Sequence, residues 1–71
     1  MKVTSQQTEK LLRGNHAFSQ LGFSMLLTRL KSRYAKDPSP DTVQGCTAEI
    51  NTFLVKFHAI MGPDFAIIAS L

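Results

Sequence analysis

Along the C-terminal half of the chain, apolar residues return at alternating intervals of three and four. Val43, Cys46, Ile50, Phe53, Phe57 and Ile60 form this series, the seam of a helix that packs along one side. Leu54 and Met61 widen the stripe, while Glu49, Asn51, Thr52, Lys56 and His58 fall largely on other faces. Ser39 suits an N-cap, Pro40 suits the first helical position and Asp41 complements the positive end of the helix dipole. Gly62-Pro63 is a stop signal. A helix over Pro40–Met61 is predicted.

The stretch from Asn15 to Ala35 is also helical in pattern, but apolar around most of its circumference. Phe18, Leu21, Gly22 and Met25 share one side. Phe23, Leu26, Leu27, Leu30 and Tyr34 share an adjoining one, which leaves Arg13, Gln20, Ser24, Thr28 and Lys31 on a narrow polar strip. Such a helix needs more than one neighbour to cover it. Ahead of it, Thr4 and Gln7 have capping-box spacing, and Gly14-Asn15 resembles a C-cap followed by a new N-cap. A short helix over Ser5–Arg13 is therefore expected, in preference to one uninterrupted helix from Ser5 to Ala35.

Lys36-Asp37-Pro38-Ser39-Pro40 cannot continue a helix, because proline lacks the N–H and restricts the residue before it. So short a connection makes its neighbours antiparallel. Pairing outward from the turn brings Leu30 near Cys46, Leu26 near Ile50 and Phe23 near Phe53, with small Gly45, Cys46 and Ala48 facing Leu27, Leu30 and Tyr34. The segment 64–71 is apolar and fits either a short helix or a docked extended strand of chain. The expected fold is all-α: an antiparallel helical hairpin with a short extra N-terminal helix, a three-helix arrangement in one domain, 1–71.

Composition bears on how such a fold is stabilised. A core built from 71 residues supplies only about 3–5 kcal/mol net, and Cys46, the single cysteine, rules out an internal disulfide. With 44% hydrophobic residues, self-association is the supplement that remains. The net charge of +3 is a mild basic excess rather than that of a nucleic-acid-binding arm. Met1–Lys10 is polar, so no signal peptide is expected, and no apolar run reaches the roughly 18 residues of a membrane span. A lone cysteine fits a reducing, cytoplasmic location.

Chemistry-bearing residues are sparse. His16, His58, Cys46, Asp41, Glu49 and Asp64 match no metal-ligand spacing, so no metal and no cofactor are expected. Cys46 with His16 or His58 is a formal nucleophile–base pair, yet a helical hairpin offers neither a cleft nor an oriented third group. Glu9, Asp37, Asp41, Glu49 and Asp64 do not pair on one helix face. Neither an enzyme nor a small-molecule substrate is expected.

Two surfaces remain. Arg29, Arg33 and Lys36, spaced i, i+4, i+7, share one face and could grip phosphates. The same residues also suit a helix C-terminus for dipole reasons, close to Asp37 and Asp41. Phe18, Leu21, Gly22 and Met25 form an apolar patch that the Pro40–Met61 helix does not reach. Either Leu11, Leu12, Phe65, Ile67 and Ile68 fold back over it, or a second copy covers it, two hairpins then making a four-helix bundle. The leading expectation is a non-enzymatic protein–protein interaction module that forms a homodimer through Phe18, Leu21, Gly22 and Met25. A nucleic-acid-binding regulator using Arg29, Arg33 and Lys36 is the alternative.

Overall fold

In the computed structural model, which describes the backbone of residues 2–57 and 62–71 and the side chains of 2–57 and 65–71, Thr4 and Gln7 cap the first helix reciprocally. The Gln7 N–H donates to Thr4 Oγ1 at 3.1 Å, and the Thr4 N–H donates to Gln7 Oε1 at 3.0 Å. The capping box read from the sequence is formed. It opens α1, Ser5–Arg13, which is followed by α2, Leu21–Lys36, α3, Pro40–Phe57, and α4, Gly62–Ala69. The described residues are helical in these four segments and contain no strand, so the chain is all-α.

The middle helix starts at Leu21, six residues later than Asn15, where the pattern had placed it. Side chains hold the intervening segment in a different path. Gln20 Oε1 accepts the Phe23 N–H and so caps α2, Ser24 Oγ donates to the Phe18 carbonyl at 3.0 Å, and Lys31 Nζ donates to the Gly14 carbonyl at 2.6 Å. Outside the helix, Phe18 turns its ring edge-on to Phe23, with centroids 4.9 Å apart. Gly14 leaves α1 in extended backbone, at φ −92°, so its freedom to adopt left-handed conformations is not what ends the helix.

At the C-terminal side, the expected three-helix arrangement gains a fourth element. The segment after Gly62-Pro63 is helical, with Ile68 fully buried and Phe65 and Leu71 packed against the core. The expected end of the preceding helix at Met61, with His58 and Ile60, lies outside the described residues.

Phe23, Leu27 and Leu30 from α2 meet Cys46, Ile50 and Leu54 from α3, with Val3, Leu11, Leu12 and Ile68 completing the cluster. Each fully buried side chain of the Leu, Ile or Phe class contributes about 1.5–3 kcal/mol before conformational entropy is subtracted. Phe53 was expected in the α3 seam, but Leu54 is the residue in the core there and Phe53 is half-buried. The spacing 43-46-50-54 follows the 3.6-residue period of a straight helix, which drifts away from a strict heptad seam. Phe53 keeps its expected neighbour all the same, its ring centroid 5.6 Å from that of Phe23.

Polar ties bind α1 and its leading residues to this core. The Thr47 hydroxyl lies 2.7 Å from Thr8 Oγ1, Arg13 Nε donates to the Tyr34 hydroxyl at 3.2 Å, and Lys10 Nζ donates to the Leu71 carbonyl. Gly45 faces Arg33 rather than Tyr34: a β-carbon there would stand 2.8 Å from Arg33 Nη2. Ala48 is exposed, beside Leu26 and Arg29 of α2. The Cα radius of gyration, 11.0 Å, is that of a compact chain of this length.

Candidate functional site

α2 carries both sequence-predicted surfaces, and the fold treats their members differently. Of the apolar set, Phe18 packs against the core and Gly22 sits beside Phe53, whose Cζ would lie 3.4 Å from a β-carbon at position 22. Leu21 and Met25 project outward, 72% and 64% exposed. Leu11, Leu12 and Ile68, expected as the alternative cover, are buried in the core, while Leu21 and Met25 stay exposed. These two side chains are one helical turn apart and edge a shallow depression of about 470 Å³ that continues over Ser24, Thr28, Arg29 and Ser32.

Of the basic set, Arg29 and Arg33 both turn to Glu49 on α3. Arg29 Nη2 lies 2.8 Å from Glu49 Oε1, and Arg33 Nη1 donates to Oε2. One carboxylate thus receives two guanidiniums, one on each oxygen, in a charge-assisted arrangement. The hydrogen bond from Arg29, reinforced by Arg33, holds the Glu49 carboxyl below the usual carboxylate range. Lys36 is exposed and makes no ion pair among the described residues. The three cations therefore do not act as one open stripe.

A groove of about 370 Å³ runs beside this ion pair, between α2 and α3. Leu26, Phe53 and Phe57 supply its apolar lining, with Ala48 and Thr52 along α3 and Lys56 toward one end. The Phe53 and Phe57 rings lie 4.7 Å apart, inclined at 40°. Neither Glu49 as counter-ion nor this groove was anticipated from the sequence. Part of the signal for Glu49 was present, because setting Leu30 near Cys46 and Leu26 near Ile50 already places Arg29 within a helical turn of position 49.

A second concavity, about 310 Å³, gathers His16, Ser24, Thr28 and Lys31. Three of its polar side chains are engaged with backbone: Ser24 with the Phe18 carbonyl, Thr28 with the Ser24 carbonyl at 3.0 Å, and Lys31 with that of Gly14. Cys46 is fully buried, and burial pushes its thiol pKa up, against the nearby Arg33 charge that pulls it down. No cluster of three or more His, Cys, Asp or Glu that could hold a metal occurs among the described residues. None of the described helices is long and apolar enough to cross a membrane. No protein-family model, curated protein or solved structure matches the chain.

Proposed function

We propose that the protein is a non-enzymatic interaction module that self-associates through the outer face of α2. The observation that carries this reading is the adjacent exposure of Leu21 and Met25, two large apolar side chains on one turn of a helix whose other large apolar residues are in or against the core. Leaving such a pair in water forgoes burial worth about 1.5–3 kcal/mol for each side chain, and a core this small has a use for it. The contacts pairing Arg33 and Arg29 with Glu49, and Phe23 with Phe53, run in opposite sequence directions along the two helices. They support an antiparallel α2/α3 hairpin. Two such hairpins joined across α2 about a two-fold axis form a four-helix bundle, with Leu21 and Met25 of each copy facing those of the other. Phe18 and Gly22 then act from beneath, supporting the turn that presents the contact pair. A cytoplasmic setting agrees with the unpaired Cys46.

The methyl resonances of Leu21 and Met25 test the reading. Chemical shifts that move with protein concentration support it, while shifts constant from micromolar to millimolar chain oppose it. The second reading, polyanion binding through Arg29, Arg33 and Lys36, has in its favour that these three cations outnumber the one carboxylate, Glu49, that Arg29 and Arg33 share. Against it stands the occupation of both guanidiniums by Glu49. Retention on an anionic matrix that falls steeply with salt would favour it.

A further inference from the structure

We propose that the groove between α2 and α3 docks an acidic amphipathic helix of another protein. Among the described residues, the groove shares only Arg29 with the depression beside Leu21 and Met25, so the two are separate surfaces. The proposal therefore does not rest on self-association.

Shape and charge specify the occupant. The lining of Leu26, Phe53 and Phe57 is half-buried, so each still offers apolar surface to a ligand. Exposed Ala48 and Thr52 keep the α3 wall low enough for a helix backbone to approach. The rim is cationic: Arg29 and Lys56 line it beside Glu49, the one carboxylate among its described lining residues, and Arg33 adds a second guanidinium on that carboxylate. Lys56 is exposed and forms no ion pair among the described residues. Positions 49 and 56 are seven residues apart on α3, about 10 Å along the axis. Two guanidiniums on one carboxylate leave the Arg29–Glu49–Arg33 cluster net positive, so a ligand helix with carboxylates two turns apart reaches that cluster and Lys56 together. Apolar residues at i, i+3 and i+4 between those carboxylates fill the lining, the helix-in-groove mode of recognition.

A second copy of this chain does not fit that description. α2 carries Arg29, Lys31, Arg33 and Lys36 and no carboxylate, so it would set cation against cation. Leu11 and Leu12 of α1 and Ile68 of α4 are already in the core. The fitting partner is an acidic helix from a different protein.

The test is fluorescence anisotropy with two labelled 15-residue amphipathic peptides that share leucine positions. One carries Glu two turns apart, the other Lys at the same places, and both are titrated with the full chain. The Glu peptide is expected to bind at least tenfold tighter than the Lys peptide, shifting the amide resonances of Leu26, Ala48 and Thr52. Lys56→Glu is expected to reverse the preference and Lys56→Gln to reduce it, with helicity and melting unchanged in at least one of the two variants. Equal affinity for the two peptides would overturn the proposal, as would no binding of the Glu peptide at millimolar chain. So would shifts confined to Leu21 and Met25, or groove amides that move with protein concentration alone, which would place a second copy in the groove.

Discussion

Asn51 grips both backbone polar groups of Val3: its Oδ1 accepts the Val3 N–H at 2.6 Å and its Nδ2 donates to the Val3 carbonyl at 2.9 Å. One side-chain amide thereby fastens the residues ahead of α1 to the middle of α3, and Val3 is buried beneath the clamp. The amide orientation follows from the pairing, since the opposite one would set donor against donor. Asn51→Asp keeps the acceptor but points a second oxygen at the carbonyl. A loss of about 1–3 kcal/mol is expected in urea denaturation. Thr52→Ala, at the exposed neighbouring position, should stay within about 0.5 kcal/mol. Equal effects from the two substitutions would mean that the clamp contributes nothing.

Glu49 makes stability depend on acid. Its folded pKa is depressed by Arg29 and Arg33, so its stabilising contribution is fully present above the ordinary value of 4.5 and disappears as pH falls through the lower folded pKa. The pair is partly exposed, so its contribution is small, up to about 1 kcal/mol, and screened by salt. The melting temperature of the native chain should exceed that of Glu49→Gln at pH 7 and low salt, and the gap should close as pH falls below 4.5 and through the lower folded pKa. If polyanions bind α2, the same variant should be retained more strongly on heparin, because it loses the competing carboxylate. A gap that persists at low pH would show that Glu49 acts through packing.

Cys46 is expected to react slowly. Its thiol is fully buried and its pKa is raised by that burial, so both access and thiolate formation are suppressed. Labelling by a disulfide reagent at pH 8 should proceed through transient opening. For a core with about 3–5 kcal/mol of stability, it should be roughly 10²–10⁴ slower than in 6 M urea. Comparable rates in the two conditions would contradict the burial of Cys46.

Local signals in the chain were readable where a residue acts on its near neighbours. Thr4 and Gln7 cap α1 because a capping box needs only a three-residue spacing, and Pro40 opens α3 because proline restricts its own backbone. The start of α2 was misplaced because the segment 15–20 has helical periodicity, while its conformation is decided by Gln20, Ser24 and Lys31 bonding to particular backbone groups. Periodicity is blind to such competition. Phe18 shows the consequence: it shares a wheel position with Leu21 and Met25, yet it packs into the core from outside the helix. The basic stripe had the same weakness, since spacing on one helix does not report a counter-ion on another. Leu21 and Met25 were legible as surplus apolar surface and remain so in the fold, whereas the groove depends on how far Phe53 and Phe57 turn out of the seam.

Sedimentation equilibrium of the native chain and of a Leu21→Lys/Met25→Lys variant tests self-association most directly. The native chain should show a mass rising with concentration toward twice its 7.9 kDa. The variant should stay at 7.9 kDa with the same helicity, because both substituted side chains are exposed in the single chain. A native mass of 7.9 kDa at every concentration up to about a millimolar, where even a 4 kcal/mol association would be visible, would contradict the account.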